Sequence, residues 1–344
     1  MPQAAMPAAI AITLGLLLAV VTFTPLVALA YRRYHRLTWR YVLAWVAFLI
    51  YFMAIWAYTL FPFPGPGPVR CVRPQLVPLY SVRDALNYPH GSLGQLLDNP
   101  VVAQSTLNVA LFVPLGVFIS IIWRRGPFIS MLAGAGLSLF VETTQLTGVW
   151  WLYPCAYRVF DTDDLITNTT GALIGGVVAL AIPRTWFRPT PQPPGEPAPV
   201  TVGRRLVAMV CDLVSALLLG SVPEMVLEAF IHPNRHWQET WGIWIEFTIP
   251  FAVQALCVAL SGQTLGDKAT LLKLEPARPA WLWRRATRLF GGIGGFLLLG
   301  VTTSSSGWPQ PLFVAAALIA VLLNRQGRGL PGTLGRQTLV DSRA

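Results

Sequence analysis

The stretch RVFDTDDLITNTTGALIGGVVAL, residues 158–180, decides the fold expected of this chain. It begins with one arginine and three aspartates and then runs into small and apolar residues. Asp161, Asp164, Asn168 and Gly171 are spaced by three or four residues, which places them on one face of a helix. Polar groups beside a membrane helix are costly, and glycines let a second helix approach closely. We therefore expect this helix to pack against protein along a face that carries acids at its start.

The composition around this stretch is that of a membrane protein. The 344 residues are 54% hydrophobic and 12% charged, and the mean hydropathy is positive. Apolar runs of about 20 residues cross the hydrocarbon core of a bilayer. We predict an all-α integral membrane protein with about nine transmembrane helices, of which the last two are short and are expected to tilt, pair or lie partly in the interface. The predicted spans are residues 8–30, 41–61, 106–123, 128–146, 164–182, 206–231, 241–261, 289–304 and 311–323.

The basic residues predict an orientation. Of the 25 Lys and Arg residues, 20 fall in alternate loops and in the C-terminal tail. Basic residues concentrate in cytoplasmic loops, so we expect the N-terminus outside and the C-terminus in the cytoplasm. The net charge of +10 then needs no nucleic-acid partner, because these residues face anionic lipid.

A proline-rich segment divides the chain into two predicted modules. Residues 183–203 contain seven prolines, which favour an extended, semi-rigid spacer. We expect residues 1–182 to form a five-helix module, the spacer to lie in the cytoplasm, and residues 204–344 to form a four-helix module with a basic cytoplasmic tail. The longest stretch outside the spans, residues 62–105, contains moderately apolar pieces expected to re-enter the membrane or lie on its outer leaflet.

Polar residues from three predicted helices meet at one depth under this topology. They lie at the outer start of the third helix, the outer end of the fourth and the outer start of the fifth. We call this group the acidic constellation. Its members are Asn108, Glu142, Gln145, Arg158, Asp161, Asp163, Asp164 and Asn168.

Two interpretations of the acidic constellation are open at this point. In the architectural one, an aspartate caps the fifth helix, Arg158 neutralises Glu142, and the amides form interhelical hydrogen bonds. Capping needs one carboxylate, however, and the constellation supplies four. The excess favours a pocket for a ligand, a cation or catalysis. If a divalent cation such as magnesium binds, we expect the carboxylates of Glu142, Asp161 and Asp164 to hold it.

The same residues resemble the VanZ-like family in order, spacing and identity. The resemblance covers about residues 40–182. It implies a bacterial integral membrane protein, in the plasma membrane, of the type associated with low-level tolerance of lipoglycopeptides such as teicoplanin. It implies no particular biochemical mechanism. The motifs are NVALFVPLG (108–116), SLFVETTQ (138–145) and RVFDTDDLITNTTG (158–171), with weaker elements at residues 59–62 and 77–79.

The second module is similar to the RDD family over about residues 200–340. The similarity departs at the family's second aspartate, because the best-matching position here is Gly332, so a role that needs both aspartates is in doubt. Some RDD-type proteins are linked with cation/proton antiport. The alternative is a structural pair of Arg205 and Asp212 near the interface. The residues that carry the similarity are Arg205, Asp212, Gln263, Thr264 and Arg288.

Two further pairs lie in the predicted outside loops. Cys71 and Cys155 share a compartment where oxidation is possible, so a disulfide between them is one hypothesis and two unpaired thiols are the other; the sequence does not decide between them. His232 and His236 have the spacing of some zinc ligands, but the proline between them breaks the helix that such a site would need. We expect a solvated loop there.

Three functions are consistent with these observations. The first is a non-enzymatic envelope protein whose outer pocket binds a lipophilic or lipid-linked ligand. The second is a membrane enzyme acting on a lipid-linked substrate, but no Ser–His or Cys–His motif supports a particular reaction. The third is ion transport through Asp212 and the acidic stripe, but the inner half of the fifth helix offers only Gly and Thr. We favour binding, with the bilayer and a lipophilic ligand as partners; the sequence does not specify an oligomeric state.

Overall fold

Two compact units make up the chain, with helices predominating and one small sheet. The computed structural model describes residues 2–183, 186–187, 191–193, 195–231, 241–276, 281–302, 308–324 and 328–344. The first unit comprises Met1–Ala19 and Thr38–Pro189, and the second comprises Val20–Leu37 and Thr190–Ala344.

The first unit contains the N-terminal part of a long helix, α1, and seven further helices. α8 is followed by a short 3₁₀ turn, Ala179–Ala181. The helices are α1 (Pro2–Tyr34), α2 (Trp39–Leu60), α3 (Tyr80–Ala85), α4 (Leu93–Leu97), α5 (Pro100–Trp123), α6 (Pro127–Leu146), α7 (Gly148–Trp151) and α8 (Thr162–Val178).

The second unit contains the rest of α1, seven helices and two strands. β1 and β2 pair antiparallel, with Leu272 opposite Asp341 and Pro276 opposite Gln337. The elements are α9 (Val202–Ile231), α10 (Ile243–Ser261), α11 (Leu265–Thr270), β1 (Leu272–Pro276), α12 (Trp281–Phe290), α13 (Ile293–Thr302), α14 (Pro309–Leu323), α15 (Gly329–Leu334) and β2 (Gln337–Asp341).

Seven helices of the described part of the chain are long and apolar enough to cross a membrane, and each corresponds to one of the first seven predicted spans. α13 has 10 residues and α14 has 15, so both are short, as expected. α13 begins at Ile293, because Gly291 and Gly292 separate it from the polar helix α12. The count of nine spans and the orientation stay predictions. The seven spans are Met6–Tyr34, Trp39–Leu60, Pro100–Trp123, Pro127–Leu146, Thr162–Ala181, Val202–Phe230 and Trp244–Ser261.

Close packing of α8 positions the acidic constellation in the first unit. A side chain at Gly171 or Gly175 would collide with the backbone of α5 at Val109 and Val113. The predicted close approach along the glycine face is therefore confirmed. Because glycine lets two helix backbones touch, the polar start of α8 is held at a fixed distance from its neighbours.

The core of the second unit joins helices to the sheet. Val27 and Tyr31 of α1 pack with Cys211 of α9, and Leu272 of β1 packs with Leu339 of β2. This arrangement brings the start of α9, with Arg204 and Arg205, to the sheet, where Asp341 ends β2.

Candidate functional site

The start of α8 is capped by an aspartate, as one interpretation of the sequence predicted. Asp161 has extended backbone, and its carboxylate accepts a hydrogen bond from the backbone N–H of Asp163 at 2.9 Å. A carboxylate in this position satisfies a free N–H group and suits the positive end of the helix dipole. Asp161 therefore has a clear architectural role.

Two other helices reach the same point. Glu142 of α6 is 2% exposed, and its Oε2 accepts from the backbone N–H of Asp161 at 2.9 Å. Asn108 of α5 donates through Nδ2 to Oδ1 of Asp164 at 2.5 Å. The Asp161 and Asp164 carboxylates also lie within electrostatic range of Glu142. The structure thus brings acids from α6 and α8 together, with an amide from α5.

Asp163 points to a different partner. Its two carboxylate oxygens accept from the backbone N–H groups of Leu79 and Ser81, at 2.5 and 2.7 Å. The side chain is buried, and it fixes the segment that leads into α3. The sequence placed Asp163 in the constellation but carried no sign of this contact.

Backbone hydrogen bonds also join residues 72–75 to residues 156–162, just before and at the start of α8. The N–H of Val72 donates to Ala156, and the N–H of Gln75 donates to Phe160, at 2.9 and 2.8 Å. Gln75 accepts in turn from the N–H of Thr162 at 3.1 Å. Cys71 and Cys155, at the start of this pairing, form a disulfide with their Cα atoms 5.6 Å apart, so the bonded one of the two alternatives is the one present.

Arg158 and Gln145 bind the end of α2. Gln145 donates to the carbonyl of Thr59 at 2.9 Å, and the guanidinium of Arg158 donates to the carbonyl of Phe61. The last carbonyls of a helix have no partner within it, so these side chains satisfy groups that would otherwise be unpaired. The suggested pairing of Arg158 with Glu142 is wrong: among the described residues no ion pair joins them.

Asn168 lies about one turn further along α8 than Asp164. Its Nδ2 donates to Oγ of Ser138 at 3.0 Å, and both side chains are buried. Its Oδ1 meets no donor within the described part of the chain. Ser138, quoted in the sequence motif but not among the site residues, is thus the partner of Asn168.

The charge of the acidic constellation is not balanced locally. Burial raises the pKa of Asp161 above its ordinary value, although the N–H of Asp163 opposes that effect. Over the described residues, none of the acids of the acidic constellation forms an ion pair with Lys or Arg.

Metal binding has no support in the part of the chain that the structure describes. It holds no group of three His, Cys, Asp or Glu side chains arranged for a metal ion. The geometry therefore gives the Glu142, Asp161 and Asp164 cation site no support. His232 and His236 lie outside the described residues.

The second unit contains a different polar site, in which Asp267 is central. Arg205 Nη1 lies 2.8 Å from Asp267 Oδ1, and Arg288 Nη2 lies 2.5 Å from Oδ2. All three side chains are buried. Burial alone would raise the pKa of Asp267, but the two guanidinium groups outweigh it and hold the pKa below its ordinary value.

Asp212 completes this arginine–aspartate network. Its Oδ1 accepts from the N–H of Gly266 at 2.7 Å and its Oδ2 from Thr264 Oγ1 at 2.8 Å, while Arg288 Nη2 lies 3.8 Å away. Arg205 pairs with Asp267, so the suggested direct pair of Arg205 and Asp212 is not the one formed. Gln263 lies beside the network and donates to the carbonyl of Leu272 at 2.7 Å.

Sequence reasoning missed three members of this site. Asp267 had a signal: the spacing of Thr264 and Asp267 is that of a capping box, and the capping box forms at the start of α11. Gln254 donates through Nε2 to Asp212 Oδ1 at 3.2 Å, and it also had a signal, since it is a polar residue inside an apolar helix. Asp341, which pairs with Arg204 at 2.8 Å, had none, because only the fold brings the C-terminal strand to α9.

Comparison with known proteins supports the first unit only. Residues 48–183 match the VanZ/LLP1 family model, which is less than half of the chain. The match contains the whole acidic constellation and agrees with the predicted range of about residues 40–182. Searches of curated proteins and of solved structures give no match. Together with its apolar helices, the chain fits a multi-pass membrane protein that carries a VanZ-like domain at residues 48–183.

Proposed function

We propose that the VanZ-like domain binds a lipophilic or lipid-linked molecule at the acidic constellation, without catalysing a reaction, and that this binding supports tolerance of lipoglycopeptides of the teicoplanin type. The observation that carries the proposal is a partly exposed pair of acids, Asp161 and Asp164, held in place by buried groups and lacking a cationic partner among the described residues. Such acids attract hydrogen-bond donors and cations. The expected ligand therefore presents amine, amide or hydroxyl groups.

The surface beside these acids suits the apolar part of the ligand. Residues 76–97 lie outside the candidate spans and expose large apolar side chains, including Leu79, Leu93 and Leu97. Leu93 is 73% exposed. An apolar surface of this kind, outside the membrane-crossing helices, is typical of a segment that lies on a lipid surface or binds an apolar group. Asp163 attaches this segment to α8, which keeps the apolar surface and the acids together.

We favour binding over catalysis at the acidic constellation. Glu142 and Asp163 are buried and already accept hydrogen bonds from backbone N–H groups, so they are positioned to support the site. Asp161 and Asp164 are partly exposed and are therefore the acids that a ligand can contact. No Ser–His or Cys–His motif accompanies them in the sequence, so no particular reaction is supported.

The wider setting follows from the sequence. In this proposal the protein lies in the plasma membrane of a bacterium with about nine spans, the N-terminus is outside, and the acidic constellation faces outward. The second unit is an RDD-like module joined through a proline-rich cytoplasmic linker. Enzymatic and ion-transport functions stay alternative predictions.

A set of expression-matched variants tests the proposed function. Asp161→Asn and Asp164→Asn remove charge with little change in shape, and both are expected to lower lipoglycopeptide tolerance in cells. Asp98→Asn, at an exposed acid in the same unit, is the matched control and is expected to leave tolerance unchanged. Full tolerance in both site variants, with all proteins folded and equally abundant, would contradict the proposal.

Direct binding separates the two parts of the expected ligand. The purified protein in nanodiscs is expected to bind a fluorescent lipoglycopeptide and to bind the same glycopeptide core without its acyl chain more weakly. Asp164→Asn is expected to weaken binding of the acylated compound. Equal binding of the two compounds would remove the apolar surface from the proposal.

A further inference from the structure

A cavity of about 400 Å³ lies within the second unit. Most of its wall is apolar and comes from α9, α13, α14 and the start of α15, with Met209 contributed by α9 and Ala317 by α14. One end is polar and is formed by Arg205, Asp212 and Arg288. A pocket of this size, with a mainly apolar wall and a few convergent polar groups, is typical of a small-molecule site.

The polar end contains two hydrogen-bond donors without a partner. Arg205 Nε and Arg288 Nη1 are buried and meet no acceptor within the part of the chain that the structure describes. Arg205 is 2% exposed and Arg288 is 1% exposed. A buried cationic donor is costly when it is unpaired, so these two atoms mark a place where an acceptor is expected.

Both free donors belong to side chains that line the cavity, and each lies close to a glycine that also lines it. A Cβ atom placed on Gly329 would lie 3.9 Å from Arg205 Nε, and one placed on Gly292 would lie 2.8 Å from Arg288 Nη1. Gly329 and Gly292 both line the cavity. Arg205 Nη1 and Arg288 Nε and Nη2 are directed to Asp267. Arg205 Nε and Arg288 Nη1 are the unpaired donors left for a ligand.

The carboxylate at the polar end is already engaged. Asp212 Oδ1 accepts from the N–H of Gly266 and from Gln254 Nε2, and Oδ2 accepts from Thr264 Oγ1. The unpaired groups identified at this end are donors on cationic side chains. A ligand seated here must therefore supply acceptors, and a cation finds no free acceptor on Asp212.

We propose that this cavity binds a single-chain amphiphile with an anionic oxygen headgroup, whose oxygens accept from Arg205 Nε and Arg288 Nη1 and whose chain fills the apolar part. A carboxylate or a phosphate satisfies two neighbouring guanidinium donors well. The long apolar wall matches an acyl chain. This site is separate from the acidic constellation and does not rest on the function proposed for it.

Native mass spectrometry of the purified full-length protein tests the site with three probes. Oleic acid and oleoyl lysophosphatidic acid carry the two anionic headgroups, and oleyl alcohol carries the same chain without charge. One bound equivalent of either anion, at concentrations where oleyl alcohol stays unbound, supports the proposal; preference between the two anions identifies a free fatty acid or a phospholipid as the source. Equal binding of the alcohol would overturn it.

Cavity-filling variants assign the binding to this cavity. Ala317→Phe on α14 fills the apolar part and is expected to weaken anion binding by at least about tenfold. Ala316→Phe, at the exposed neighbouring position, is the matched control and is expected to change binding by less than about twofold. Met209→Trp fills the cavity from α9 and serves if Ala317→Phe does not fold. Equal effects at positions 316 and 317, with Met209→Trp without effect, would overturn the assignment.

The headgroup contact has its own variant. Arg205→Lys keeps a cation opposite Asp267 but removes Nε, so anion binding is expected to fall by roughly fivefold or more. The melting temperature of the variant reports whether the network is intact. Unchanged anion affinity in a folded Arg205→Lys protein would remove Arg205 from the site.

Discussion

The acids of the acidic constellation accept hydrogen bonds from backbone N–H groups and an asparagine, whereas Asp267 and Asp341 of the second unit lie against guanidinium groups. Asp163 binds Leu79 and Ser81 through their backbone N–H groups. Asp267 binds Arg205 and Arg288. We propose that Asp161 and Asp164 keep their negative charge available to a ligand, whereas the charge of Asp267 is used in ion pairs that hold the fold together. The two sites also differ in their unpaired groups. Among the described residues, the first site contains carboxylates without a cationic partner, and the second contains guanidinium N–H groups without an acceptor.

Removing the central acid of the second unit should have the largest effect. Asp267→Asn leaves two buried arginines without a full counter-charge, which is expected to lower the free energy of unfolding by about 3–5 kcal/mol. Thermal unfolding of the purified protein in nanodiscs measures this loss of stability. Glu275→Gln is the control in the same unit, since Glu275 and Lys273 form a pair that is 45% exposed on both sides, and a loss of only about 0–1 kcal/mol is expected. Similar losses in both variants would contradict the account of the network.

Loss of the disulfide in the first unit should have a smaller effect on stability than loss of Asp267 in the second. Cys71 and Cys155 are 84 residues apart, and a double change to serine is expected to lower the free energy of unfolding by about 2–4 kcal/mol. Chemical denaturation without reductant measures the loss. Cys257→Ser, at a free cysteine, is the control and is expected to behave as the unchanged protein. No loss in the double variant would show that backbone pairing alone holds residues 71–75.

Asp163→Asn should have a smaller and more local effect. Asparagine keeps one acceptor oxygen, so one of the N–H groups of Leu79 and Ser81 loses its partner, at a cost of about 1–3 kcal/mol. Hydrogen exchange resolved by residue is expected to become faster at Leu79 and Ser81 while α8 stays protected. Unchanged exchange at both amides would contradict the attachment.

The smallest effect concerns pH. Burial would raise the pKa of Asp341, but hydrogen bonds from Arg343, the N–H of Ala198 and Arg204 hold it below its ordinary value. Its contribution to stability is therefore present above the unfolded pKa and is lost as the pH falls through the folded pKa. Because the unfolded pKa is about 3.9, only roughly 0.3 kcal/mol is lost by pH 4, and more below it.

Unfolding measured from pH 7 to pH 3 tests this sign. Below pH 4 the free energy of unfolding is expected to fall less in the Asp341→Asn variant than in the unchanged protein, because the contribution of this residue is absent. Asp161 is predicted to act in the opposite direction: its raised pKa favours the neutral form in the fold, so protonation of Asp161 relieves a penalty as the pH falls. A larger fall in the free energy of unfolding between pH 7 and pH 3 in Asp341→Asn than in the unchanged protein would contradict the lowered pKa of Asp341.

The contrast between the units also shows what a sequence can predict. Helix spacing and apolar runs predicted the first seven spans and the meeting of α5, α6 and α8, because both depend on local pattern. The glycine face of α8 was predictable for the same reason. The partners of Asp163 and Asp341 were not, since each bond joins segments far apart in the chain: 84 residues separate Leu79 from Asp163, and 137 separate Arg204 from Asp341.

Asp161 and Asp164 of the first unit are proposed to serve function and Asp267 of the second unit to serve stability, and one paired measurement tests this most directly. Asp164→Asn and Asp267→Asn are made in the full-length protein, and each is measured for melting temperature and, at matched abundance, for lipoglycopeptide tolerance. The account predicts that Asp164→Asn loses tolerance while its melting temperature stays within about 2 °C of the unchanged protein, and that Asp267→Asn lowers the melting temperature by more than that. Full tolerance in a folded Asp164→Asn protein would contradict it.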